Sequence, residues 1–337
     1  MVRISTSPPF IKDKLMNKIA ALSLALFCSL AIAESVLADD TTYQYAGEFL
    51  SLGMGARALA MGGAFVAVAD DSSATYWNPA GLALMQKGEG AFMHAYTFKG
   101  LVKVDTLSIA YPISKKYGTI SGGMLRVGVD DIKETGWTDP NDPNRRPEIK
   151  STFNWADTGY YISYARQLLS RINIGFSAKI IRQGGGDWSG SGYGFDVGIM
   201  TNPLKNLNLA VNFQDIYSRV KWKTGAVDRF PVNAKVGLAY TFSLPSIDSK
   251  LVTAFDSDIK KKGYDYSAQL SAGSFSFDLH YGAEFIYRNT LAIRAGAYRS
   301  NFAAGAGLRF KMFTVDYAFQ THTDLGGSHR ISAGVVF

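Results

Sequence analysis

Few residues in this chain are spaced for chemistry. Gly53-Met54-Gly55-Ala56-Arg57-Ala58 has the glycine spacing of a dinucleotide-binding turn. That turn cradles a pyrophosphate only between a strand and a helix of a βαβ unit, and no strand pattern precedes Gly53. Small residues for close packing explain it better. The histidines His94, His280, His322 and His329 have no metal-ligand spacing, such as the i, i+4 pair of a zinc helix. His322, Asp324 and His329 read as polar residues around the last loop. Asp139 to Arg146 carries carboxylates and amides suited to calcium, but lacks the glycine and distal glutamate of an EF-hand loop. No serine or threonine stands in a recognisable nucleophile motif with a positioned histidine. The chain therefore reads as no enzyme, with no metal and no cofactor.

What remains is a run of small residues, Leu52 to Leu84, with almost no long side chains. Gly62 and Gly63 lie in its middle and Asp70-Asp71 follow. It ends in Asn78-Pro79-Ala80-Gly81, a sharp turn in which Pro79 fixes the backbone and Gly81 permits conformations other residues avoid. Such a segment can bring its backbone close to surrounding walls. Asp70 and Asp71 either accept ion pairs from those walls or form a solvated turn.

The elements around this run define its setting. Lys12, Lys14 and Lys18, the apolar run Ile19 to Ala33 and the small residues up to Ala38 have the order of a secretory signal peptide, assigned to residues 1–38. Cleavage after Ala33 and after Ala38 are both compatible with it, and Met16 offers a second start. The apolar run is shorter than the ~20 residues of a spanning helix. Cys28, the only cysteine, lies within it, so the mature chain is expected to have neither disulfide nor thiol site. No later run reaches the ~18 apolar residues of a membrane helix. The net charge of +7 falls to about +5 without residues 1–38, which carry Arg3 and three lysines against Asp13 and Glu34. The excess is dispersed, which gives no nucleic-acid footprint.

From Gly90 onward apolar residues alternate with polar or small ones. Phe277, Leu279, Tyr281, Ala283, Phe285 and Tyr287, for example, face away from Asp278, His280, Gly282 and Glu284. The pattern gives about 14 strands of the ~9–11 residues that cross a bilayer when tilted, an even number as bacterial barrels require. A soluble sandwich shows the same alternation, so the connections decide. Those after even-numbered strands are short, as at Ser114 to Tyr117 and Leu168 to Arg171. Those after odd-numbered strands include Asp130 to Phe153, Gln183 to Ser191, Ile216 to Phe230 and Lys260 to Phe275. This sorting is that of an outer-membrane barrel, with short periplasmic turns and long extracellular loops. Trp188, in one such loop, fits a membrane interface. The expected fold is all-β, a transmembrane antiparallel barrel over residues 89–337, preceded by a hatch segment over 39–88 that plugs the lumen. Arg126, Lys179, Lys235, Arg294 and Arg309 are expected to line that lumen.

The stretch GARALAMGGAFVAVADDSSATYWNPAGLA resembles the amino-terminal signature of the PorV/PorQ family, within the FadL/TodX-like outer-membrane transport proteins, and the terminal Phe337 resembles their assembly signal. The resemblance implies an NPAG-containing hatch inside a barrel in the outer membrane. It also implies passive uptake of hydrophobic small molecules, fatty-acid-like or hydrocarbon, with hatch movement and lateral exit. The alternative that it carries is a PorV-like role in protein secretion and surface attachment. The expected partners are outer-membrane lipid, hydrophobic cargo and, on the alternative, secretion-system proteins. FadL-like barrels kink inward at the third strand, and here Gly122-Gly123 interrupts that strand, so a lateral opening is expected there. A pair of small residues that admits the hatch backbone would read the same way.

Overall fold

The computed structural model describes residues 46–137, 146–261, 268–322 and 325–337. The expected signal peptide, the start of the 39–88 segment, most of the loop from Asp139 to Arg146, and Asp324 lie outside the described residues.

Seventeen strands form one antiparallel sheet among the described residues, and three of them are short additions, Arg219–Trp222, Val227–Arg229 and Leu270–Ala272. The others form a closed ring of fourteen. In chain order they are β1 (Glu89–Thr97), β2 (Val102–Ser114), β3 (Gly118–Trp137), β4 (Pro147–Leu169), β5 (Ile172–Gly185), β6 (Trp188–Leu204), β7 (Leu207–Gln214), β8 (Asn233–Leu244), β9 (Ser249–Lys261), β10 (Phe275–Tyr287), β11 (Leu291–Tyr298), β12 (Asn301–Phe310), β13 (Phe313–Gln320) and β14 (Ser328–Val336). Each pairs with the next, and β14 closes on β1 from Glu89 opposite Val336 to Tyr96 opposite His329. Closure gives every strand of the ring a neighbour on both sides, which is what a bilayer demands of a sheet.

Alternation sorts side chains between the two faces of the ring. Outward positions carry Leu107, Ile109, Tyr160, Ile162, Phe176, Ile293 and Phe302, all exposed, with Ile162 at 71%. An apolar surface this continuous has no place on a soluble monomer and matches the lipid-facing band of a membrane barrel. Inward positions carry small, polar and charged residues such as Ser163, Ser177, Lys179, Asp196, Asp256 and Glu284, all buried.

The connections after even-numbered strands are short, spanning residues 115–117, 170–171, 205–206, 245–248, 288–290 and 311–312. The other end carries longer excursions, but two expected loops are shorter than the sequence indicates. Gln183 to Ser191 is strand except for residues 186–187, where Gly186 turns the chain at φ 57. Between β3 and β4 the strands extend into the expected loop, β3 as far as Trp137 and β4 from Pro147. Polar residues there pair in a ladder that projects past the apolar band, so polarity marked the height of the wall and not its end.

Candidate functional site

The lumen is occupied by the chain's own inner segment. This comprises a 3-10 turn at Glu48–Leu52, α1 (Ala56–Ala60), α2 (Ala74–Trp77) and a second 3-10 turn at Pro79–Leu84. α1 and α2 are single turns joined by non-helical backbone, which leaves many amide and carbonyl groups without partners of their own. Buried backbone groups must be paired, and inward side chains from around the ring pair them. The Asp256 carboxylate on β9 accepts from the Phe65 and Val66 N–H groups at 2.6 and 2.7 Å. Ser332 on β14 accepts from the Ala56 N–H at 2.8 Å. Three amide side chains of β7, Asn208, Asn212 and Gln214, donate to the carbonyls of Ala67, Trp77 and Tyr76. Thr75, Ser163 and Ser177 form a hydroxyl chain at 2.6 Å spacings, and Ser177 donates to the Thr75 carbonyl at 3.1 Å.

Small wall residues set how closely this backbone approaches. A Cβ on Gly175 of β5 would lie 2.2 Å from the Pro79 carbonyl carbon, and one on Gly296 of β11 would lie 2.2 Å from the Gly62 nitrogen. The segment and the ring fit as two surfaces of one core, with Phe65, Met54, Met61 and Leu82 fully buried between them.

Each residue expected in the motif has a definite place. Gly62 has φ 66 and its carbonyl meets His280 Nδ1 at 2.7 Å, while Gly63 has φ 79 and lies against the same imidazole. The Asn78 side chain caps the turn by accepting from the Ala80 N–H at 3.0 Å and donates to the Val66 carbonyl at 3.1 Å. Pro79 opens the 3-10 turn at Pro79–Leu84. Gly81 is not at positive φ. A Cβ there would lie 1.9 Å from the Ala69 carbonyl oxygen, so close approach and not backbone freedom calls for glycine.

Asp70 and Asp71 pair with Arg57 Nη1, at 2.6 and 3.0 Å, within the inner segment itself and not with a wall cation. Arg57 also makes a two-pronged bond to the buried Glu284 of β10, at 3.0 and 2.8 Å. Glu284 in turn accepts from Arg294 Nε at 2.6 Å, and Arg294 reaches Asp316 on β13 at 2.7 Å. Burial opposes the charge of Arg57, but Asp70 and Glu284 outweigh it and hold its pKa well above the ordinary value. The Tyr76 hydroxyl, raised well above its ordinary pKa by burial, stays a neutral donor to the Leu50 carbonyl at 2.5 Å.

Of the expected lumen cations, Lys179, Lys235 and Arg294 are buried and inward, and Arg309 lies at the short-turn mouth. Lys179 pairs with Asp196 and Asp215 at 2.8 and 2.5 Å, and Lys235 with Asp258. Arg126 does not line the lumen. On β3 the buried inward positions are Ser121 and Leu125, so Arg126 faces outward, 3.6 Å from Asp105, whose carboxylate also meets His94 at 2.6 Å. The expected opening at Gly122-Gly123 is absent as a standing gap. Pairing runs unbroken there, with Gly122 opposite Ile109 and Ile162, and Gly123 opposite Ser108 and Tyr161. Gly123 is small because Thr75 lies behind it, 2.8 Å from a Cβ placed there. Arg57 and Glu284 are the central groups that sequence reasoning missed.

Two of the spaces beside the segment lie towards the ends of the ring. At the long-loop end a void of about 40 Å³ lies among Glu48, Tyr76, Lys179, Gln214 and Phe230. At the short-turn end a cavity of about 390 Å³ is bordered by Arg57, Asp70, Lys87, Lys250 and Arg309. Among the described residues no group of three or more acidic, histidine or cysteine side chains could hold a metal ion.

Residues 29–161 match the model of an uncharacterised protein family, UPF0164. No curated protein matches the chain. Among solved structures it is similar to the toluene transporter TodX of Pseudomonas putida, at 12% identity and a TM-score of 0.54, over 85% of this chain and 99% of that one. It is likewise similar to a FadL homologue of Pseudomonas aeruginosa, at 13% identity and 0.51, over 84% and 98%. The CymD monoaromatic hydrocarbon channel matches at 11% and 0.52, over 85% and 97%. At these identities the likeness is one of fold, and the chain has the closed all-β barrel architecture of the FadL and TodX channels.

Proposed function

We propose that this protein is an outer-membrane barrel for passive uptake of hydrophobic small molecules, with the inner segment acting as a hatch. The carrying observation is the combination of a ring fold shared with TodX, CymD and a FadL homologue with a lumen closed by the chain itself. A void of about 40 Å³ at the long-loop end has room for only a few waters, so passage requires the segment to shift. Cargo leaves through the wall or past the short-turn mouth once the segment has moved. Because β3 is fully paired at Gly122-Gly123, a lateral route there needs a strand that opens on demand.

The narrow, charged long-loop end also favours a second reading, a PorV-like, non-enzymatic docking component of protein secretion and surface attachment. Mass spectrometry of what co-purifies with the barrel from its native membrane separates the two. An apolar small molecule, displaced by added hydrocarbon, supports uptake. A stoichiometric secreted protein without any small molecule overturns it in favour of docking.

A further inference from the structure

On the outer face, β4, β5 and β6 each change character at neighbouring register positions. Leaving the short-turn end, β4 presents Tyr164, Ile162 and Tyr160 and then Thr158, β5 presents Phe176 and Ile180 and then Arg182, and β6 presents Tyr193 and then Ser191. Tyr160, Ile180 and Tyr193 are opposite one another in one cross-strand row. Thr158, Arg182, Ser191 and Lys221 form the next, about 7 Å further along the strands. The apolar band therefore ends at one row, which Arg219 edges opposite Tyr193, and a row with two more cations follows.

The short strand Arg219–Trp222 stands beside β6 and walls off a groove of about 730 Å³. The Lys223 N–H donates to the Ser189 carbonyl at 2.9 Å, which extends that wall by one residue. Arg182, Lys221 and Lys223 line the groove, and its lining contains no carboxylate. All three are exposed and none forms an ion pair with a described residue. Two strand spacings put the Arg182 and Lys221 backbones about 10 Å apart, so their long side chains reach a common point. One row lower, Arg219 lies 5.0 Å from the Tyr193 ring and 5.8 Å from that of Tyr217, which commits it to the aromatic rim.

Unpaired like charges gathered at the edge of a lipid-facing surface are stabilised by an anion at headgroup depth. A guanidinium and two ammonium groups match the oxygens of a phosphate. We propose that this groove seats the phosphate headgroup of an anionic lipid in the leaflet on the long-loop side. The proposal rests on the reading of the outer face as lipid-facing.

The test uses the full barrel in phosphatidylcholine nanodiscs doped with phosphatidic acid, with retained lipid read by native mass spectrometry. Wild type retains phosphatidic acid, and R182Q/K221Q/K223Q loses about tenfold or more of that retention. K133Q/K150Q/K205Q, which removes the same charge from other exposed sites, retains it. Equal retention by the first variant, equal loss in the second, or full displacement by inorganic phosphate overturns the proposal. Heat-dependent gel mobility is followed in parallel. A wild type without the shift sinks the lipid-facing reading and the groove together, whereas a shift with unchanged phosphatidic acid retention sinks the groove alone.

Discussion

Of the buried charge clusters inside the ring, two do different jobs. Lys179 on β5 pairs with Asp196 on β6 and with Asp215 just past β7, so every member belongs to the wall or its loop. Arg57 belongs to the inner segment and binds Glu284, which Arg294 ties to β11 and Asp316 to β13. The first cluster joins strand to strand. The second joins the inner segment to the wall. The difference implies that stability and closure of the lumen are separable by mutation, because Lys179 pairs only with the wall and its loop whereas Arg57 belongs to the segment itself.

Deleting Leu52 to Leu84 tests the comparison at its largest. With the segment gone, planar-bilayer conductance should rise from near closure to that of an open pore. Unchanged conductance would mean that something else forms the barrier. Lys179→Met comes next. It strands Asp196, whose side chain is 1% exposed, beside Asp215, and removing one partner of a buried ion pair costs about 3–5 kcal/mol. The temperature at which the barrel loses its compact gel mobility should fall, with conductance unaltered.

Arg57→Gln is the complementary substitution. Glu284 keeps Arg294, but Asp70 and Asp71 lose their shared cation, a loss of about 1–3 kcal/mol in charge-assisted hydrogen bonds. Asp70 is half-exposed and recovers much of this from water. Here the effect should appear as more frequent openings in single-channel records, with a small change in melting. If Lys179→Met opened the pore while Arg57→Gln only lowered stability, the two roles would have to be exchanged.

The ring was legible in the sequence because period-two alternation survives wherever lipid lies on one side and polar groups on the other. Lys179, Lys235, Arg294 and Arg309 were assigned inward on that basis. Arg126 escaped because on this stretch of β3 the apolar Leu125 and Val127 take the inward positions and leave the charged residue on the outer face. Alternation misorients a strand where the apolar side chain packs inward and the charged one faces out. The partner of Asp70 and Asp71 was illegible for another reason. Arg57 is thirteen residues from Asp70, and only the doubling back of the inner segment through Gly62 and Gly63 brings them together. The glycines facing that segment were visible in the strands, but a glycine in a strand reads as a bulge until the neighbouring backbone is known.

The smallest expected effect separates Gly122 from Gly123, which share one stretch of β3 but face opposite ways. A Cβ on Gly122 points outward and has only ordinary contacts, 3.8 Å from Ile109 Cγ2 and from the Tyr161 carbonyl oxygen. Gly122→Ala should be neutral or stabilise by a few tenths of a kcal/mol, since it lowers the entropy of the unfolded chain without strain. A Cβ on Gly123 points inward and would lie 2.8 Å from Thr75 Cγ2. Thr75 cannot easily turn away, because its hydroxyl is bonded to Ser163 at 2.6 Å and its carbonyl accepts from Ser177. Gly123→Ala should therefore cost about 1–2 kcal/mol as overpacking and loosen α2 slightly, read as faster protease cleavage between α1 and α2. Uptake of a labelled hydrocarbon into vesicles then asks whether β3 opens during transport. If both variants transport like wild type, the paired wall stays shut and cargo leaves elsewhere. If Gly122→Ala alone slows uptake with its melting unchanged, the strand must flex at that point, since nothing static in its surroundings opposes the added methyl.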